Sequence, residues 1–242
     1  MSGALFLATS RDVRAQWGPG AWPTGLNITE TYHNLTVPAS VTVGNMRNQI
    51  RDYGEVCVYC HTPHWGQTDG PLWNRQTPTA SYRMYEGNLD MVVDPQPTGN
   101  SLACLSCHDG TIGLDEVLDT PNTYTGGGPF RTSIEDCHDK HDGGGDVGGI
   151  NLEGVFLDTD FRSTQHPISI LYDPSRSPGN FNSIGMVEAM GLKFFDGKLQ
   201  CMTCHEPHTQ QYQPFLRAPS GLSFCLICHT SDPPGPNRAH HW

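Results

Sequence analysis

Hydrophobic positions along this chain form few sustained patterns. Alternation of the kind a half-buried strand needs is brief, as in Val41-Thr42-Val43. A helix is expected around Ser183 to Leu192, and short helical turns are expected where cysteines cluster. No run approaches the ~20 apolar residues needed to cross a bilayer. The N-terminus, Met1-Ser-Gly-Ala-Leu-Phe-Leu-Ala8, is briefly apolar but lacks a basic n-region and a long h-region. It does not read as an intact signal peptide. The expectation is an exported chain, extracellular or at the cell surface, whose signal is absent from this numbering.

Composition sharpens this picture. Only 36% of the 242 residues are hydrophobic, while glycine and proline occupy 27 and 19 positions. That is too loop-rich for an ordinary packed core of this size, so something other than side chains must fill the interior. The expected fold is mostly irregular, with short α-helices. A formal charge of −11 argues against nucleic acid, whose binding needs basic surface.

Nine cysteines in an exported chain would ordinarily suggest disulfides. Their spacing says otherwise. Eight fall into four copies of C-x-x-C-H: Cys57/Cys60/His61, Cys104/Cys107/His108, Cys201/Cys204/His205 and Cys225/Cys228/His229. From this composition, chance predicts roughly 0.02 copies of what is the c-type haem attachment signature. On a helical turn, positions i, i+3 and i+4 share a face. Two thiols can then reach the two vinyl groups of one porphyrin while the histidine points at the iron. Zinc ribbons also use C-x-x-C pairs but do not require the trailing histidine. Thioredoxin-like pairs come singly, near a βαβ pattern that this chain lacks. The expected cofactors are four haem c groups, whose apolar faces would form the core.

Eight histidines remain beyond the four proximal ones. His64 in Cys60-His61-Thr62-Pro63-His64 and His208 in Cys204-His205-Glu206-Pro207-His208 are the foremost candidates for distal iron ligands. Neither can close its own haem. Axial ligands sit on opposite porphyrin faces, and three residues extend at most ~10 Å. Pro63 and Pro207 also turn the chain away. Each of these two histidines should therefore reach a different haem. His33 and His166 each precede a C-x-x-C-H pair by a few tens of residues and are the third and fourth candidates. His240 and His241 lie in a Pro-rich tail, where packing or disorder is the default. His138 and His141 flank Cys137, the ninth cysteine; a stray metal there is conceivable, but an inert thiol in a loop is the simpler reading.

The chain reads as two tandem dihaem units, 1–125 and 126–242, with a Gly- and Asp-rich linker over about 126–150. Cys57 to Cys104 spans 47 positions and Cys201 to Cys225 only 24, so the units share a plan and not a detailed layout. An acidic glycine loop can bind calcium, though such loops are more often simply solvated. Asn27-Ile28-Thr29 and Asn34-Leu35-Thr36 match the N-glycosylation acceptor pattern.

Several stretches go beyond generic haem attachment. Val56 to His64, followed by Pro71-Leu-Trp-Asn-Arg75 and Cys104 to Ile112, resembles the multihaem cytochromes of respiring bacteria and archaea. Leu199 to His208, through Phe215-Leu-Arg-Ala218 and Phe224 to His229, resembles the doubled C-x-x-C-H cytochrome domain. The whole layout is similar to the OmcE-type tetrahaem cytochromes that polymerise into extracellular nanowires. That resemblance implies bis-histidine haems in alternating stacked and T-shaped pairs, with one axial ligand donated by a neighbouring subunit. Cys137 departs from the plain pattern.

The expected function is electron transfer through four bis-histidine haems. The expected partners are identical subunits in a helical filament and an external electron acceptor, with no nucleic acid and no membrane span. Six-coordinate irons leave no position for substrate, so no enzyme activity is expected. The rival readings are a soluble periplasmic tetrahaem shuttle and a multihaem reductase, the latter requiring a vacant iron position.

Overall fold

The computed structural model of the chain describes residues 26–36, 51–87, 89–109, 111–112, 116–120, 126–127 and 167–231. The Val41–Val43 alternation, most of the glycine-rich linker, Cys137 with His138 and His141, His166, and His240 with His241 lie outside them.

Regular structure is sparse and centred on the cysteine motifs. A 3-10 turn at Val56–Tyr59 holds the first motif. Helix α1 (Asn100–His108) contains the second, α3 (Cys201–Cys204) the third and α4 (Leu222–Cys228) the fourth. Helix α2 (Ile184–Ala189) falls inside the expected Ser183–Leu192 segment, with the Ser183 side chain accepting from Met186 N as its N-cap. The strands are two residues each. β2 (Val92–Val93), β4 (Ile170–Leu171) and β5 (Lys198–Leu199) form a sheet in the order β2-β4-β5, antiparallel throughout. β1 (Arg51–Asp52) pairs with β3 (Gly126–Gly127). The described part is loop-rich, with few short helices and a small sheet. Among the described residues no helix is long and apolar enough to cross a membrane.

The three-stranded sheet joins distant parts of the sequence, and side chains buried around it form the largest apolar cluster among the described residues. Ile170 and Leu199 from the sheet meet Val187 and Leu192 beside α2, and Ile227 from α4. Burying side chains of this size contributes about 1.5–3 kcal/mol each. A polar weld lies next to this cluster. Gln200 Oε1 accepts from Ser101 Oγ at 2.6 Å and from Ser169 Oγ at 3.1 Å, and Ser101 Oγ accepts from Cys201 N at 3.0 Å. All three side chains are buried, so each bond forms where water cannot compete. The weld fixes α1 against α3, and with them the second motif against the third.

The motifs differ in where the helical turn ends. His108 ends α1 as a helical residue. His205 and His229 instead take extended backbone angles at the caps of α3 and α4, although their N–H groups still close i−4 bonds to Cys201 and Cys225. The physical reason is visible at the third motif, where Pro207 bars further helix two residues on.

Candidate haem-binding site

The first and third motifs are followed by the same return circuit. After His61 the chain comes back so that Thr62 N donates to Leu72 O at 2.9 Å and Asn74 N to Cys60 O at 2.8 Å. After His205, Glu206 N donates to Phe215 O at 2.7 Å and Arg217 N to Cys204 O at 2.9 Å. Leu72 and Phe215 occupy matching places and both have positive φ, +50° and +58°. Gly66 lies so close to Leu72 that a Cβ would stand 2.5 Å from its carbonyl carbon, so the first loop closes only with glycine there.

These circuits orient the proximal histidines. His61 Nδ1 lies 2.7 Å from Pro71 O, and His205 Nδ1 lies 3.0 Å from Pro214 O. A ring that donates from Nδ1 to a carbonyl presents a bare Nε2 as a metal ligand, in a fixed orientation. Trp73 meets the His61 ring edge-on at 5.7 Å and donates to Ser106 Oγ at 3.1 Å, linking the first motif to the second. Arg75 is fully buried; its Nε and Nη2 donate to Ser106 O at 3.2 and 2.9 Å.

Two of the sequence-predicted distal histidines face proximal ones. The His61 and His208 rings are 6.2 Å apart, centre to centre, with 16° between their planes. His33 and His108 are also 6.2 Å apart, at 68°. Two imidazoles on one iron, each bonded at about 2 Å with its ring centre roughly 1 Å further out, stand about 6 Å apart. Both pairs meet that condition. In both cases the histidine comes from a segment remote from the motif it faces.

His33 is half-buried, stacked on Phe215 at 4.2 Å, with Nδ1 2.9 Å from Pro207 O. Burial, then the nearby His108 ring, lowers its pKa to about 4, which keeps it neutral as a ligand must be. His208 Nδ1 instead meets the Glu206 carboxylate at 2.9 Å, and Arg217 Nη1 donates to the other carboxylate oxygen at 2.8 Å. His64 is exposed, and no described histidine stands opposite it.

All eight motif cysteines are free of disulfides. Thiols of successive motifs are near enough to act on one another electrostatically: Cys107 on Cys60, Cys201 on Cys104 and Cys228 on Cys204. Burial pushes Cys60, Cys204 and Cys228 up to about 12. Each of these thiols belongs to a motif pair that adjoins a proximal histidine.

Residues 194–233 match the family model of the doubled CXXCH motif. That is the motif of multihaem c-type cytochromes. It implies covalently bound haem c, whose iron accepts and releases one electron. The matched segment contains α3, α4 and His208. No curated protein matches the chain.

Two roles went unread in the sequence. Arg75 and Glu206 lie inside the stretches that carried the family resemblance, yet a charged residue beside a ligand looks like any loop charge until its partners are known. Of the two glycosylation patterns, Asn34 is buried and donates from Nδ2 to Thr29 O at 2.9 Å, so the folded chain does not offer it to a glycan.

Proposed function

We propose that the chain holds four haem c groups, each ligated by two histidines, and conducts electrons as the subunit of an extracellular filament of identical copies. The opposed imidazole pairs, His61 with His208 and His33 with His108, carry this reading. The residues would divide their work simply. The paired cysteines would anchor the haems, His61 with His208 and His33 with His108 would ligate iron, and the carbonyls of Pro71, Pro207 and Pro214 fix ring orientation. The electrostatic influence of Cys107 on Cys60, Cys201 on Cys104 and Cys228 on Cys204 supports a haem order in space that follows the sequence. The haems, when bound, would supply one-electron redox chemistry.

His64 supports the filament. It is exposed, as are its neighbour Trp65, at 86%, and Leu72, at 55%. A histidine beside exposed apolar side chains fits ligation of an iron in the next subunit. Such a head-to-tail contact repeats without closing. His33 is engaged with His108 inside the chain, which leaves His64 as the better bridge. His166 remains the candidate ligand for an iron held by His205 or His229.

Electron microscopy of the haem-loaded protein tests this directly. Filaments are expected from the native chain and dispersed subunits from His64→Ala. Native protein that stays monomeric at every concentration supports the shuttle reading instead. Filaments of His64→Ala with every iron low-spin would rule out the proposed bridge. Mass spectrometry under denaturing conditions should show the mass of four haems.

A further inference from the structure

The Nδ1 partner of His208 differs in kind from those of His33, His61 and His205. His33, His61 and His205 meet neutral backbone carbonyls, at 2.9, 2.7 and 3.0 Å. His208 meets the Glu206 carboxylate at 2.9 Å. The carboxylate is itself held, because Arg217 Nη1 bonds its second oxygen at 2.8 Å while Arg217 Nε donates to Met202 O at 2.7 Å. Arg217 is anchored on α3 and on the return strand, so the pair is a fixed part of the third motif. At the corresponding place after the first motif stands Thr62, whose hydroxyl bonds His64 O and Asp119 and cannot supply a charge.

We propose that Glu206 is a positioning residue that lowers the reduction potential of the haem held between His61 and His208. The proposal rests on reading the chain as a haem electron carrier. A carboxylate accepting the Nδ1 proton makes an imidazole more basic, and a more basic ligand favours the ferric state. The same carboxylate fixes the ring so that Nε2 faces His61. A neutral carbonyl provides the orientation without the charge. The His61/His208 haem would therefore sit at a lower potential than a neutral partner at His208 would give it, set by one carboxylate that comes from a different motif.

The test is a spectroelectrochemical titration of the full haem-loaded chain beside Glu206→Gln, Glu206→Asp and, as a surface control, Glu188→Gln. Glutamine keeps an acceptor but loses the charge. At fixed potential it should raise the reduced-to-oxidised ratio of one haem about tenfold, an upward shift of about 59 mV for one electron. Glu206→Asp should restore most of the native value, Glu188→Gln should leave the curve unmoved, and all irons should stay low-spin. An unchanged curve for Glu206→Gln overturns the proposal, as does an equal shift in Glu188→Gln. A high-spin iron in Glu206→Gln overturns the tuning role in favour of a purely structural one. A native chain without covalent haem would overturn the electron-carrier reading as well, and mass alone identifies that case.

Discussion

The loops that follow the first and third motifs take the same path and leave their last histidines in opposite situations. Both return to hydrogen-bond the motif they left, both give the proximal Nδ1 a proline carbonyl, and both pass through a residue of positive φ. His208 then finds a carboxylate at 2.9 Å and a partner ring at 6.2 Å. His64 projects outward beside Trp65. One residue accounts for much of this. Glu206 can reach the histidine two positions on, whereas Thr62 is buried and spent on His64 O and Asp119. A shared backbone circuit thus sets where a ligand begins, and one side chain decides whether it is held at home.

The largest test of that contrast is ligand removal. His208→Ala should convert the iron on His61 to a high-spin form even in isolated subunits, read by absorption or magnetic resonance. His64→Ala should leave every iron of an isolated subunit as in the native one. Equal spectra for the two variants would erase the distinction.

Next comes the residue that closes each circuit. Asn74 is fully buried; its Nδ2 bonds Val58 O and Asp119 O at 2.7 and 2.9 Å, and its Oδ1 accepts from Asp119 N at 2.8 Å. Asn74→Ala should cost about 2–4 kcal/mol in chemical denaturation, since buried partners lose their bonds. A loss under 1 kcal/mol would mean that the first circuit is held elsewhere.

A smaller and opposite-signed pair probes the matching positive-φ residues. Leu72 is exposed, so Leu72→Gly relieves the left-handed strain at little packing cost and should stabilise by up to about 1 kcal/mol. Phe215 stacks on His33, so Phe215→Gly should destabilise by about 1–3 kcal/mol despite the same relief. Thermal unfolding gives both signs, and like signs would contradict the comparison.

The weakest effect concerns the ion pair that ties the segment following β2 to β5. Lys198 Nζ lies 2.6 Å from Asp94. Burial alone would raise the Asp94 pKa, but the hydrogen bonds from Lys198 and Thr98 outweigh it and hold it below the usual 3.8. The stabilisation is therefore complete above the ordinary carboxylate pKa and fades as pH falls through the lowered folded value. Asp94→Asn should flatten this acid-side dependence by well under 1 kcal/mol, as expected for a partly exposed pair. An unaltered pH profile would show the pair to be silent.

Covalent chemistry was legible in the sequence because C-x-x-C-H binds its reactive groups within five residues, a span that local backbone geometry controls. The sparse regular structure and the helix at Ile184–Ala189 followed from composition and local pattern for the same reason. Which histidine faces which was not legible. His33 reaches His108, and His208 reaches His61, only because the buried Ser101–Ser169–Gln200 bonds and the sheet of Val92, Ile170 and Leu199 bring distant segments together. The charge of Glu206 was present in the sequence. Its direction was not, because a hydrogen bond to His208 and a clamp from Arg217 depend on three side chains meeting in space.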